Sequence, residues 1–574
     1  MNLGGPGQSA GLITPADTGL GWITRRWAIV LLVLGSAVVV LLALRIRLPT
    51  LGGRPLGFDE SFHSRAALES PDIATLRRAV TPQFEPLFDH LLRRFFWAPL
   101  IGSQEIGIRL PALFASLLAI LASIATVAWA FLKNGRSHLE AAIAALAVGV
   151  WHAGFGQDIG ASGFARHYAL TGCLSIVWTG LFLFGAPERS WKRFALVSLL
   201  FANTHFFSLA MIGTGCACLV VEHLAQSRRR AALREAGTFV ALVLLTAVIN
   251  WPALSALLHN PVEPRTVAGA GAVLTALGET RVLYQRFLAF LELPALPASL
   301  WLLLVLAGGL RVLPRPQVWR TASLACVAVP GLFFLGALRS GYHIEDRYFM
   351  PFLGVGPALL ALGTVILVHL GQRAVVHLMR NPATPLAGIA VLPLAVFLLI
   401  ASIRLARMPG SLGPPELPTR RAEIIEALKR ESRPVFLLAS PCWTSAVVRL
   451  YWGSVGARAP TDRLQTASQR GYEDCVAGGI SPGSQAAEEL KDFLARAPDG
   501  MIALYQHHLP CFRPRFRAPG RLISDGTENT CLTILDGLTS VEEVRAATVS
   551  VGYPATIAQL LEQRQTQYLI PGLP

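Results

Sequence analysis

Long apolar runs separated by short polar segments dominate the first 404 residues, and this pattern predicts membrane-spanning helices. A helix that crosses the hydrocarbon core needs about 20 mainly apolar residues. The longest run, 194–221, contains Asn203-Thr204-His205 near its middle, so it fits either one long helix or two short ones. The uncharged or nearly uncharged runs are 27–44, 110–132, 139–153, 168–186, 194–221, 236–258, 294–310, 321–338, 348–372 and 385–403.

The charge pattern decides how the longest run is interpreted. It is flanked by the basic segments ERSWKR (188–193) and SRRRAALR (227–234). Because Lys and Arg accumulate in cytoplasmic loops, both ends of the run should lie inside, and the chain should cross the membrane twice there. The sequence therefore predicts about 11 spans, with the N-terminus in the cytoplasm and the C-terminus outside.

The polar segments divide the chain further. Residues 1–26 have a flexible composition and are predicted to be cytoplasmic, and residues 27–404 form the transmembrane domain. The first apolar run follows Arg25 and Arg26 and ends in LRIRLP, which predicts a retained helix and not a cleaved signal peptide. Arginines in the connecting loops explain the net charge of +15. Nucleic acid is not an expected partner, since no zinc-finger spacing, Walker loop or dinucleotide-binding glycine motif is present.

The first outside loop, 45–109, has the pattern of a structured segment. SPDIATLRRAV and PLFDHLLRRFFWAPL carry apolar residues at helical spacing, which favours helices at the membrane surface. An ordinary amphipathic connector is the alternative, and the many arginines of the loop are expected to face lipid phosphates. In the second segment one face should hold Leu87, Leu91, Leu92, Phe95 and Phe96, and the opposite face Asp89, His90, Arg93 and Arg94.

After about residue 404 the composition changes, and 405–574 is predicted to be a soluble α/β domain outside the membrane. RAEIIEALKRE and SQAAEELKDFLARA predict helices, while PVFLLAS and GMIALYQ predict strands. The four cysteines of this part could form two disulfides in any of three pairings, or remain free thiols. They are Cys442, Cys475, Cys511 and Cys531, and the remaining Cys173, Cys216, Cys218 and Cys326 should be small packing residues in spans.

Chemistry-bearing residues gather in the predicted outside segments. Asp59 and Glu60 follow the first span as a pair of acids, although a helix that begins at Asp59 would need such a cap as well. Arginines and tyrosines at span ends are also common interfacial anchors. The other outside candidates are Asp158, Arg166 and Tyr168 in one loop, His343, Arg347 and Tyr348 in another, and Arg281 and Arg286 between them.

These segments resemble the GT-C membrane glycosyltransferases, especially bacterial relatives of protein O-mannosyltransferase and lipid A aminoarabinose transferase. Asp59-Glu60 looks like the family's early acidic pair, and QEIGIRLP (104–111) is similar to the family's entry into the second span. ARHYAL (165–170) and DRYFMPFL (346–353) look like two further family segments, in the same order and on the same side. Relatives often carry Gln-Glu where this chain has Gly163-Phe164, which leaves Asp158 as the nearest acid.

The resemblance implies an α-helical polytopic GT-C-like fold and transfer of a sugar from a polyprenyl-phosphate donor at the outer face. Asp59 would take the acceptor's proton, and Glu60 would orient Asp59 or bind the acceptor. Arg166 and Arg347, then Arg281 or Arg286, would stabilise the leaving phosphate, helped by Tyr168 and Tyr348. No cofactor is required; the chemistry permits a divalent metal, but the sequence spacing shows no strong ligand cluster. The acceptor would be a lipid, a glycan or a protein, and the enzyme would lie in a bacterial inner membrane.

The alternative is a transporter or flippase for lipid-linked sugars. Transporters usually place functional charges near mid-membrane, whereas the predicted spans are almost free of acids apart from Glu140.

Overall fold

The structure is a computed structural model, and it is mostly helical. It describes the chain in segments, with no ligand or partner chain. The described residues are 19–52, 60, 63–64, 67–68, 70–80, 85–101, 105–185, 190–259, 270–294, 296–339, 346–379, 433–440, 463–467, 484–507, 520–522, 530–535 and 537–550.

Helices account for most of the described residues up to 379. Three of them contain a π-helical turn and are given by their consecutive pieces. The helices of the first half are α1 (Gly19–Gly52), α2 (Ile73–Val80), α3 (Phe88–Leu91, Leu92–Trp97 and Ala98–Ile101), α4 (Glu105–Lys133), α5 (His138–Ala153), α6 (Gly156–Ser162), α7 (Tyr168–Phe184) and α8 (Trp191–Ala202). The helices of the second half are α9 (Ser208–Ala225), α10 (Arg229–Ile249), α11 (Trp251–His259), α12 (Ala270–Phe290), α13 (Ala298–Leu303, Leu304–Gly308 and Gly309–Val312), α14 (Arg315–Ser323, Leu324–Ala328 and Val329–Arg339) and α15 (Val355–Met379).

Six of the described helices are long and apolar enough to cross a membrane, or seven if the pair α5 and α6, bent by 61°, counts as one. The longest predicted run does break near Asn203-Thr204-His205, because α8 ends at Ala202 and α9 begins at Ser208. α7 and α13 are apolar but shorter. The last predicted span, 385–403, lies outside the described residues, so the total of 11 stays a prediction.

The helix ends fall into two groups. At what we call the site end lie the turns 163–167 and 203–207, the residue Asn250 and the 3-10 helix Asp346–Phe352. At the opposite end, the Arg136 guanidinium donates to Gln372 (2.5 Å), and the Gln372 amide donates to Glu140 (2.9 Å). This grouping follows the alternation that the sequence predicts for consecutive spans.

Two predicted outside segments contain helical residues. α12 runs through the segment that carries Arg281 and Arg286. Its buried residues Ala276, Thr280 and Phe287 recur at helical spacing, and they pack one face of α12. α1 continues to Gly52, so the first residues of the predicted loop 45–109 are helical as well.

The described elements after residue 433 are β1 (Val435–Ser440), β2 (Leu464–Thr466), α16 (Gln485–Arg496), β3 (Met501–His507), β4 (Gly520–Leu522), β5 (Thr530–Leu535) and α17 (Val541–Ser550). The strands form a mixed five-stranded sheet in the order β2-β1-β3-β5-β4. The predicted strands PVFLLAS and GMIALYQ are confirmed as β1 and β3, which pair in parallel, and β5 pairs antiparallel with β3. The predicted helix SQAAEELKDFLARA is confirmed as α16, whereas RAEIIEALKRE and the side chains of all four cysteines of this part lie outside what is described.

Among the cysteines of the helical part, Cys173 and Cys216 are buried packing residues, as predicted. Cys218 is partly buried beside Glu222 and Ser323, at 3.7 Å from each. Cys326 is exposed, so the packing role predicted for it is wrong.

Candidate functional site

The first-loop helix α3 turns its charged face inward. Asp89, His90 and Arg93 are buried, whereas Phe95 and Phe96 are about half exposed. The sequence correctly predicts two faces, but on a surface helix of a soluble protein the apolar face would be the buried one. The apolar face is divided, because Leu87 is buried while Phe95 and Phe96 are exposed. The exposed phenylalanines and the buried charged face fit a helix that borders lipid on one side and a polar site on the other.

His63 lies between two carboxylates in the centre of this site. Its Nδ1 is 2.7 Å from Glu85 Oε2, and its Nε2 is 2.8 Å from Asp89 Oδ2. Burial lowers the pKa of His63 to about 4, although the hydrogen bond to Asp89 opposes this shift. A neutral imidazole carries one N–H and can donate to only one carboxylate. The other short contact therefore requires a second proton or a bound cation.

Glu85 gathers more than one partner at a single oxygen. Besides His63, Nε2 of His90 lies 3.3 Å and Nδ1 of His167 lies 3.7 Å from Glu85 Oε2. The other oxygen, Oε1, forms an ion pair with Arg166. One atom each from His63, Glu85 and His167 lies within 4.8 Å of the others, which is a spacing that could hold a metal ion. The fold thus assembles from distant segments a ligand cluster that sequence spacing did not reveal.

The neighbouring histidines are also held neutral. Burial lowers the pKa of His205 to about 3, and Arg166 adds to this effect. Burial, then His205 and Arg166, lower the pKa of His167 well below its ordinary value. The rings of His167 and His205 are 5.3 Å apart. Neutral imidazoles can accept a hydrogen bond or bind a metal ion at pH 7.

Asp89 and Arg93 form the charged hub of the site. Burial raises the pKa of Asp89, but the charge of Arg93 and the hydrogen bond from His63 outweigh it and hold that pKa well below its usual range. Arg93 Nε donates to Asp89 (2.6 Å), and its terminal nitrogens donate to the carbonyls of Ile108 (2.8 Å) and Arg166 (3.2 Å). Arg93 joins α3 to α4 and to the turn 163–167 and does not face lipid phosphates, contrary to the expectation for this loop.

Glu60 is fixed by a second buried ion pair. Arg109 donates to both carboxylate oxygens of Glu60 at 3.0 Å, and the backbone N–H of Ala165 donates to Oε1 at 2.8 Å. Arg109 also donates to the carbonyl of Leu51 at the end of α1 (2.8 Å). Glu60, the Arg-Leu-Pro entry of α4 and the turn 163–167 are thereby joined. Asp59 itself lies outside the described residues.

Two of the predicted arginines meet at one tyrosine. The guanidinium carbons of Arg166 and Arg347 lie 5.3 Å and 5.9 Å from the centre of the Tyr168 ring. Arg347 is also 5.5 Å from the ring of Tyr348, which in turn lies 6.0 Å from His205. Residues that the sequence places in separate segments therefore share one place in the fold.

Asp158 belongs to a different, fully buried network. Its Oδ2 accepts from Arg47 (2.7 Å) and from Ser116 (2.5 Å), and Nε2 of His152 lies 3.6 Å away. Arg47 also donates to the carbonyl of Ala153 at the end of α5 (2.8 Å). Arg47 was expected to lie in a lipid-facing loop, but here it ties α1 to the bent pair α5 and α6.

The remaining predicted residues stand apart from these contacts. Arg281 is exposed and Arg286 partly buried on α12, and His343 lies outside the described residues. The residues of the site that were not singled out from the sequence as site residues include His63, Glu85, Asp89, Arg93, Arg109, His167 and His205. Two signals in the sequence pointed to these residues: the polar break at 203–205, and the spacing of Glu85 and Asp89, which places both acids on one face of a helix. Both signals are weak without the fold.

No protein-family model and no curated protein matches the chain. Among solved structures, ArnT from Cupriavidus metallidurans in the apo state overlaps with a TM-score of 0.48 at 13% identity, covering 91% of this chain and 99% of that one. ArnT bound to undecaprenyl phosphate gives 0.46 at 15% identity with the same coverage. The oligosaccharyltransferase AglB from Archaeoglobus fulgidus, in complex with an inhibitory peptide and a dolichol-phosphate, gives 0.46 at 14% identity, covering 84% of this chain and 70% of that one. At these identities and TM-scores, the overlap carries no conclusion about the function of this chain.

Proposed function

We propose that this protein is a membrane glycosyltransferase that moves a sugar from a polyprenyl-phosphate-linked donor to an acceptor lipid, glycan or protein. The reaction takes place at the periplasmic face of a bacterial inner membrane, and residues 405–574 lie on the same side. The observation that carries the proposal is the meeting of Arg166 and Arg347 at Tyr168, beside the Glu85 cluster. A leaving lipid phosphate placed between two guanidinium groups would be attracted by both.

The acids have separate roles in this proposal. Asp59 is the base that takes the acceptor's proton as it attacks the anomeric carbon, which gives inversion. Glu60 orients the loop, since Arg109 and the Ala165 amide already engage both of its oxygens. This division follows from the contacts, because both oxygens of Glu60 already accept hydrogen bonds from the protein.

We further propose that His63, Glu85 and His167 bind a divalent cation. The fit rests on His63, whose two ring nitrogens both face carboxylates although burial favours its neutral form. Imidazole nitrogens and a carboxylate are the ligand set that Zn²⁺ accepts. Such an ion would supply positive charge for the phosphate. Glu85 and Asp89 are balanced by Arg93 and Arg166, so the ion would make the site net positive.

Glu140, the acid that stood out in the predicted spans, lends no support to the transporter alternative. It accepts hydrogen bonds at the start of α5 as part of a capping box with Ser137, which stabilises a helix end.

Comparative mass spectrometry of envelope glycans and lipids tests the function. A deletion strain should lack one sugar substituent, which wild-type protein restores and the Asp59→Asn variant, inserted at the normal level, does not. Full restoration by Asp59→Asn would refute the role of Asp59, and an unchanged glycan and lipid profile in the deletion strain would refute the transferase.

Metal content tests the cation site independently. Purified wild-type protein should bind about one Zn²⁺ per chain, as measured by elemental mass spectrometry after equilibration with ZnCl₂. The His167→Ala variant should lose it, while His138→Ala, at an exposed histidine that begins α5, should keep it. Equal zinc content in all three proteins would refute the site.

A further inference from the structure

The helix α3 begins without a cap of its own. The residue before its first turn is Leu87, whose side chain offers no acceptor, and no side-chain hydrogen bond caps this end. The first N–H groups of a helix have no partner within the helix, and Ser, Thr, Asp or Asn usually supplies one. This helix carries Asp89, His90 and Arg93, and Glu85 lies just before it, so its start determines where the charged site is placed.

The missing acceptors come from two other segments of the chain. The backbone N–H of Leu87 donates to Asn250 Oδ1 at 2.8 Å, across 163 positions of sequence. The backbone N–H of Phe88 donates to the carbonyl of Asn203 at 3.3 Å. The start of α3 is thus capped by residues from distant parts of the same chain, which end α10 and α8.

The two asparagines hold each other in place. Asn250 Nδ2 donates to Asn203 Oδ1 (2.7 Å) and to the carbonyl of Thr246 (2.9 Å). Asn203 Nδ2 donates to the carbonyl of Leu199 at 2.8 Å. Both asparagines are at least 95% buried, and hydrogen bonds to protein groups orient each amide. Asn203 also begins the turn that carries His205.

We infer that Asn250, held by Asn203, is a positioning residue that sets α3, and with it Glu85 and Asp89, against the turn that carries His205. This rests on the proposed function for its effect on transfer, but the cap itself can be tested without any activity. An unsatisfied buried N–H disfavours the structure that buries it. Loss of the Asn250 acceptor should therefore release the start of α3 while leaving the rest of the bundle in place.

Hydrogen exchange of the intact protein in detergent, followed by mass spectrometry, measures this release. In Asn250→Ala, peptides that cover 85–92 should exchange about tenfold faster or more, and peptides of α5 should be unchanged. Asn250→Asp keeps an oxygen for the Leu87 N–H and should exchange more slowly than Asn250→Ala. Asn134→Ala is the matched control: Asn134 follows α4 at the opposite end and donates to Ala130, and the variant should leave 85–92 unchanged.

The outcomes separate the two proposals. Faster exchange in Asn250→Ala together with about a tenfold fall in kcat for sugar transfer, both partly restored in Asn250→Asp, supports the positioning role. Unchanged exchange at 85–92 in Asn250→Ala, or equal exchange in the Ala and Asp variants, overturns it. If exchange rises as expected but the chain shows no transfer even as wild type, the cap stands and the proposed function fails.

Discussion

The two ends of the helical bundle both contain buried arginines, but they use them differently. At the opposite end Arg320 pairs with Glu222, with nitrogen–oxygen distances of 2.5–3.2 Å, and Arg136 joins Gln372. Glu222 pairs there with Arg320, and Glu140 caps the start of α5 and accepts a hydrogen bond from Gln372. At the site end a single carboxylate, that of Glu85, is approached by three imidazoles and a guanidinium. An acid paired with one cation, such as Glu222 with Arg320, holds helices together. The several groups around Glu85 are instead the basis of the proposed cation site.

The largest expected difference concerns the arginines at Tyr168. Arg347→Ala should lower kcat/KM for sugar transfer by about 100- to 1,000-fold, because a charge that stabilises the leaving phosphate is lost. Arg136→Ala at the opposite end should leave kcat/KM unchanged, as measured with the same purified donor. Equal losses in the two variants would erase the functional distinction between the ends.

The buried ion pairs should show the next largest effect. Arg109→Met leaves the buried carboxylate of Glu60 without its cation, which should lower the free energy of unfolding by about 3–5 kcal/mol. Arg320→Met leaves the partly buried carboxylate of Glu222 without its cation and should cost less. Thermal unfolding in detergent would follow this loss. Of the two, Arg109→Met should also reduce the kcat of the protein that remains folded, since Arg109 fixes Glu60. An unaltered kcat in Arg109→Met would make the Glu60 pair purely structural.

Acid should destabilise the site end through His205. The folded state holds its pKa near 3, below the value of 6.5 for the free side chain. Above pH 6.5 the His205 imidazole is neutral in both the folded and the unfolded state. As the pH falls from 6.5 towards 3, His205 binds a proton in the unfolded state but not in the folded state, so the folded state loses stability.

The matching measurement compares unfolding midpoints at about pH 7 and about pH 5. On acidification the unfolding midpoint of His205→Asn should fall by less than the midpoint of the wild type. The midpoint of His138→Asn, which changes an exposed ring, should fall as it does in the wild type. A wild-type-like response of His205→Asn would remove this histidine from the acid sensitivity of the fold.

The smallest effect is expected for Arg281. The sequence suggested it as a phosphate ligand, but it is exposed on α12. Arg281→Ala should alter kcat/KM by less than about threefold, in line with ordinary surface changes. A loss as large as that of Arg347→Ala would bring α12 into the site.

Sequence patterns predicted the helices of the bundle and the break at 203–205 because hydrophobic spacing depends only on local periodicity. They also placed Arg166, Tyr168 and Arg347 on one side, since alternating spans determine which turns share an end. They could not predict which face of α3 is buried, because that depends on whether lipid or water lies beyond it. Nor could they find His63 with Glu85, or Arg47 with Asp158, since contacts between segments depend on how the helices pack.

The cap that Asn250 provides for the start of α3 has a consequence for how the protein is made. The acceptor at Asn250 is synthesised long after Leu87, so the first loop passes through translation and insertion before this partner for its helix start exists. The charged face of α3 can settle only when α8 and α10 have arrived beside it. Nascent chains that stop before residue 250 should therefore carry inserted helices but no assembled site, and chemistry would begin only once the later spans are in the bilayer.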